Sequence, residues 1–166
     1  WIVEHHRGRS GNPLTPLHPR PTPPPFRRIM KSAITLAQVP EAKAGPFVFH
    51  QSLPDGFALA GKLGFDAVEL FLPGPEFIDL ESVKSMATEH DLGIAAVGTG
   101  AGMVQHGLSL TDPDPGRRTE ALDFVLSMID FGGQLGAPAI LGSMQGKWGG
   151  EVSRDQSLVW LTEALQ

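Results

Sequence analysis

Two hydrophobic periods alternate along this chain from about residue 33 onward. Ile94–Val97 is a short apolar run bounded by glycines, the pattern of a strand buried on both faces. A long glycine-rich loop follows it. Ala121, Phe124, Val125, Met128, Gly132 and Leu135 then recur on a single helical face. The helix is expected to begin at Asp112-Pro113 or Asp114-Pro115, since each pairs an N-cap carboxylate with a proline tolerated in the first turn. Gly136 supplies a left-handed stop, and Ala139–Leu141 reads as the next strand. Strand, helix, strand makes one parallel βαβ unit.

The same theme recurs on either side. Ala33–Ala37 reads as a first strand, and the helix near Pro54–Leu63 places Phe57, Ala60 and Leu63 on one face before Gly64. Ala67–Phe71 reads as a second strand, ended by Pro73-Gly74-Pro75; Asp79–His90 then reads as a helix with Leu80, Val83 and Met86 inward. After the fourth strand, Ser153 and Gln156 form a capping box for a helix carrying Leu158, Leu161 and Leu165. Four β-α repeats predict an α/β fold with a wholly parallel sheet and helices outside. Such a sheet is either a compact open sheet or half of an eight-unit barrel, which needs about 250 residues. No glycine or proline stop follows Leu165, so the expectation is the first four units of a TIM (β/α)8 barrel, truncated.

Composition changes the picture at the amino-terminal end. Residues 1–29 hold seven prolines and five arginines against one glutamate, without helical or strand period, and start at Trp1. They are expected to form a leader that is disordered or not native, with residues 30–166 as the folded domain. A PxxP ligand or basic nucleic-acid arm is the alternative reading of the leader. It has no continuous apolar core of a secretory signal. The leader carries a net +4, which leaves −9 for residues 30–166 out of the chain's −5. An acidic domain argues against nucleic acid as a partner. No apolar run approaches the roughly 20 residues of a membrane span. The chain has no cysteine, which rules out disulfides, thiolate metal ligation and thiol catalysis and fits a reducing cytoplasm.

Several residues could carry chemistry. Gly98-Thr99-Gly100-Ala101-Gly102 follows a strand, but its spacing is GxGxG, no helix is expected directly after it, and the next strand ends without an acidic residue, so dinucleotide binding is disfavoured. Gly146-Lys147 does not make a phosphate loop, because Gly142 is one residue too close and Trp148 stands where Ser or Thr is needed. Glu69 sits inside the apolar run Ala67–Phe71, and a carboxylate there must be paired, hydrogen-bonded or neutralised. It is either an internal structural link or a site residue. His106 and Gln105 lie after the third strand, and Gln145, Lys147 and Trp148 after the fourth, where parallel α/β folds place their sites. His106 is either solvated or a substrate contact; Trp148 is either a lid over a polyol or a packing residue. His50 is a weaker candidate, and His90 is accounted for by the dipole of the helix it ends.

Three segments carry a family resemblance: Leu63–Leu70 (LGFDAVEL), Leu110–Pro115 (LTDPDP) with Arg117 or Arg118, and Ile129–Phe131 through Leu135–Pro138. Together they resemble the xylose-isomerase-like superfamily of sugar isomerases and epimerases over roughly Met30 to Gln166. The resemblance implies a TIM barrel and a metal-dependent sugar or sugar-phosphate isomerase or epimerase. Its chemistry would be proton transfer next to a carbonyl through an enediolate, on a small-molecule sugar or sugar phosphate. It implies a divalent metal (manganese, magnesium or zinc) with ligands on strands five to eight, so neither metal ligand nor catalytic acid–base pair is carried over, and this chain alone is expected to bind no metal and to be inactive. Glu69, His106, Gln145 and Trp148 are the expected substrate-binding residues. A homo-oligomer is compatible with the resemblance. A non-catalytic carbohydrate- or protein-binding relative is the alternative. The superfamily also contains zinc endonucleases for abasic DNA, with His-Pro-Gly after strand four; here Gly142–Gly146 reads GSMQG, which counts against that reading.

Overall fold

A computed structural model of the protein describes residues 30–166. The leader expected over residues 1–29 lies outside them. Strands β1 (Ala33–Ala37), β2 (Ala67–Phe71), β3 (Gly93–Gly98) and β4 (Ala139–Ile140) form one parallel sheet in the order 1-2-3-4. The connections carry helices α1 (Leu53–Leu63), α2 (Leu80–Glu89), α3 (Ala101–His106) and α4 (Pro115–Gln134), and α5 (Arg154–Ala164) follows β4. These are four consecutive β/α units in TIM-barrel order, with β1 and β4 as the sheet edges among the described residues.

Local chemistry sets the helix ends. Ser52 Oγ accepts from Asp55 N–H at the start of α1, and Gly64 closes that helix at φ 79°. Asp79 caps α2 by accepting from Ser82 N–H at 2.8 Å. Asp114 rather than Asp112 caps α4, accepting from the amides of Gly116 and Arg117 at 2.7 and 3.1 Å. Asp112 instead accepts from Asp114 N–H at 2.9 Å and so braces the turn before the cap. Ser153 Oγ accepts from Gln156 N–H and starts α5.

Strand alternation divides the side chains between two faces. Leu36, Val68, Leu70 and Val97 pack with Phe57, Val83, Met128 and Phe131 of α1, α2 and α4 in the main core. The opposite face carries Thr35 beside Glu69 and Ala37 beside Phe71. Between β2 and β3 the register slips, so that Val68 pairs with Ile94 but Glu69 with Ala96. The extra residue, Ala95, brings Ala96 and Gly98 onto the Glu69 face and leaves Val97 facing the helices. Gly132 lets α4 sit close to the sheet: a Cβ there would stand 2.8 Å from both the Ala137 carbonyl oxygen and Val97 Cγ2.

Three expectations need correction. Residues 101–106 form the helix α3, starting inside the GTGAG run where only loop was expected, and Gly107 ends it at φ 64°. Glycine content hid this turn, whose glycines sit where packing leaves no room for a Cβ. Leu63 is exposed at the last position of α1, whose buried residues are Leu53, Gly56, Phe57 and Ala60. In α5 the inward face is Ser157, Leu161 and Ala164, so Leu158 and Leu165 are exposed. That face is turned one residue, roughly 100°, from the expected one. On this rotated helix the Trp160 ring meets the Arg118 guanidinium at 4.2 Å, while Arg118 Nη1 donates to the carbonyls of Asp112 and Pro113 at 2.8 and 3.1 Å. Among the described residues no helix is long and apolar enough to cross a membrane.

Candidate functional site

Parallel α/β sheets build their sites at the carboxyl ends of the strands, and a cleft of 360 Å³ opens there. Glu69 and Phe71 of β2, Gly98 at the end of β3 with Thr99 and Gly100, and Ile140 at the end of β4 with Ser143 form its floor. Glu41, Ala42, Gly45, Pro46 and Phe47, after β1, and Val104 of α3 form its walls. Thr35 Oγ1 donates to Glu69 Oε2 at 3.0 Å, which orients the carboxylate from the neighbouring strand. The Phe47 and Phe71 rings meet at a centroid distance of 4.8 Å and give the cleft an apolar side.

The GTGAG run is explained by packing. A Cβ on Gly98 or Gly100 would come within 2.9 Å of the Phe71 ring, and one on Gly102 within 2.7 Å of Met144 Sδ. Thr99, fully buried between the first two glycines, donates from Oγ1 to the Leu141 carbonyl at 2.7 Å and from its amide to Ile140 at 3.0 Å. These bonds tie the end of β3 to β4. Gln105 Nε2 donates to Glu41 Oε2 at 3.3 Å and joins the loop after β1 to α3. His50, on the same loop, donates from Nε2 to the Phe47 carbonyl at 2.9 Å, leaving Nδ1 buried without a partner.

A second cleft, of 660 Å³, lies between the start of α4 and the Lys147–Val152 loop. Trp148 stands in it 60% exposed, near Ser109, Thr111 and Asp112. Thr111 Oγ1 donates to the Lys147 carbonyl at 3.3 Å. Gly146 begins this loop at φ 81°, and a Cβ there would overlap the hydroxyls of both Thr111 and Ser109. α3 contributes Val104 to the first cleft and Met103 to the second.

The four expected substrate-binding residues are therefore not gathered together. Glu69 lines the first cleft and Trp148 the second. His106 is exposed at the end of α3, its carbonyl taken by Arg117 Nη2, and Gln145 is exposed at the end of the 3-10 turn Gly142–Gln145. Neither belongs to the lining of these clefts. Sequence reasoning missed Glu41, Thr99 and Ser143, whose loop positions follow no hydrophobic period; their place just after the predicted strands was the available signal. Among the described residues no three His, Asp or Glu side chains lie close enough to hold a metal ion.

The profile of a family described as the xylose isomerase-like TIM barrel matches residues 57–166. The chain belongs to this family. No curated protein sequence matches it significantly. Solved structures resembling this xylose isomerase-like chain include a D-allulose 3-epimerase from Methylomonas sp. in complex with D-allulose. Its TM-score is 0.58 at 19% identity, over 82% of this chain and 45% of that one. A D-psicose 3-epimerase from Clostridium cellulolyticum, with D-tagatose, gives a TM-score of 0.59 at 16% identity over 82% and 46%. A 3-keto-D-glucoside 4-epimerase from E. coli gives 0.57 at 16% identity over 82% and 49%. The chain thus spans just under half the length of these proteins, and at such identities the likeness shows the fold.

Proposed function

We propose that this chain is part of a sugar isomerase or epimerase and that the Glu69 cleft receives the sugar. The observation that carries the reading is a hydrogen-bonded carboxylate beside an aromatic wall at the carboxyl end of β2, in a xylose isomerase-like barrel. Such a site suits a polyol. Glu69 accepts hydrogen bonds from sugar hydroxyls, Phe71 and Phe47 cover the apolar C–H face, and the Ser143 hydroxyl adds a further polar contact. The similar structures carry D-allulose and D-tagatose, which supports a ketose as substrate class.

The reaction is proton transfer at the carbon next to a carbonyl, and this chain's share of it is to bind and orient the sugar and keep water from its apolar face. A divalent metal would stabilise the enediolate when bound. The described residues do not fit a metal site, so its ligands are assigned to the part of the enzyme beyond them.

The test is solvent exchange. The complete enzyme, incubated with D-fructose, D-allulose or D-tagatose in deuterated water, should incorporate deuterium next to the carbonyl, and Glu69→Ala should weaken KM and turnover together. Binding of a ketose with neither exchange nor turnover would favour a non-catalytic carbohydrate-binding relative. No binding and no turnover would sink the proposal.

A further inference from the structure

The lining of the Glu69 cleft has one sign of charge. Glu69 stands on its floor and Glu41 on its wall, and none of the described residues that line it is Lys, Arg or His. The remaining polar groups there are hydroxyls and backbone, as on Thr99 and Ser143. A cleft lined by charges of one sign focuses their field on whatever enters it. A neutral polyol can donate hydrogen bonds to two carboxylates, whereas a phosphate dianion meets their repulsion with no counter-charge among the described residues of the lining.

Glu41 is held in place for this role. Gln105 donates to its Oε2 from α3, so the carboxylate belongs to a bridge between two loops of the cleft rather than to a free side chain. Its position in the barrel adds to the argument. Phosphate groups in TIM barrels are frequently held by the loops after strands seven and eight, and a closed barrel sets strand eight beside β1, whose loop carries Glu41. From the acidic lining and this position we infer that the substrate is an unphosphorylated sugar and that Glu41 is a specificity residue acting against sugar phosphates. The inference rests on the sugar isomerase or epimerase reading above.

Glu41→Gln removes the charge while its carbonyl oxygen still accepts from Gln105, so the bridge survives. The experiment compares kcat/KM of the complete enzyme for D-fructose and D-fructose 6-phosphate, at low and high salt, in the wild type and in Glu41→Gln. The wild type should prefer the neutral ketose at least tenfold, chiefly through KM, and less at high salt. Glu41→Gln should narrow that ratio several-fold at low salt, an effect a merely structural residue would not show. Gln105→Ala, which frees the carboxylate, should narrow it less. A preference for the phosphate, or a ratio that Glu41→Gln leaves unchanged at low salt, overturns the inference while leaving the isomerase or epimerase reading standing. Turnover of none of D-fructose, D-allulose, D-tagatose and D-fructose 6-phosphate by folded enzyme overturns that reading and takes this inference with it.

Discussion

Thr35 and Glu69 are register partners on β1 and β2, and the Thr35 hydroxyl donates a 3.0 Å hydrogen bond to Glu69 Oε2. The carboxylate is thereby anchored on one side while it lines the cleft on the other. One carboxylate thus makes a link between strands and lines the cleft, and two substitutions test which of these matters. Glu69→Gln keeps an acceptor for Thr35 and loses the charge; it should cost tenfold or more in kcat/KM of the complete enzyme with the melting temperature nearly unchanged. Thr35→Val removes only the bond and should cost about 1 kcal/mol of stability. Lost stability with unchanged turnover per folded Glu69→Gln molecule would make the residue structural alone.

Two adjacent glycines in α4 give a paired test of packing. Alanine gains about 1 kcal/mol over glycine in a helix interior through propensity. Gly133 has open space at its Cβ position, so Gly133→Ala should stabilise by roughly that amount. At Gly132 the new methyl would press on the Ala137 carbonyl and Val97 at 2.8 Å each, and Ala137 belongs to the backbone turn that starts β4. Gly132→Ala should therefore destabilise, by about 1–3 kcal/mol as overpacking usually does. Chemical denaturation midpoints of the two variants should move in opposite directions.

This pair also shows what was legible in the sequence. Gly132 sat in the apolar register of Ala121, Phe124, Val125 and Met128, and that register correctly placed the buried face of α4. Strands β1 to β3 were legible because their apolar runs are short and end in glycine or proline. α3 was not, because Gly98, Gly100 and Gly102 resemble a loop, while their reason for being glycine is the bulk of Phe71 and Met144, residues distant in sequence. Glu69 stood out as a charge within an apolar run. Glu41 did not, since it is an ordinary surface glutamate until the loop after β1 folds over the sheet and Gln105 meets it. The separation of Trp148 from Glu69 into two clefts depends on α3 and was hidden with it.

Acid should loosen α2 through its cap. The Ser82 hydroxyl and amide both donate to the Asp79 carboxylate, at 2.7 and 2.8 Å, and hold its pKa below the ordinary value of 3.8. A carboxyl whose folded pKa is depressed contributes stability above its unfolded value and loses it as pH falls through the folded value. The Asp79 contribution should therefore be complete above about pH 4 and decline below 3.8. Asp79→Asn keeps a capping acceptor but has no proton to take up in this range. Its stability relative to wild type should rise as pH falls from 5 to 2 (an interval set by roughly one unit on either side of the carboxylate values), measured by thermal unfolding in matched buffers. A constant difference across that interval would show that the charge does not matter to the cap.

The last prediction concerns the metal. Within residues 30–166 no three His, Asp or Glu side chains converge, and the cleft offers Glu69 and Glu41 without a histidine. A ligand stabilises a fold only by binding it in preference to the unfolded chain. Manganese, magnesium or zinc should therefore leave the melting temperature of a polypeptide of residues 30–166 unchanged, and gel filtration should strip it of metal to far below one equivalent. That polypeptide would also present β1 and β4 as open edges, so it should self-associate, which light scattering reports. The complete enzyme should retain metal and melt higher with it. Glu69→Gln should lower sugar turnover there without lowering metal content, because Glu69 is assigned to the sugar. Stoichiometric metal on residues 30–166, abolished by Glu69→Gln, would instead make Glu69 a ligand and move the metal site to this half of the barrel.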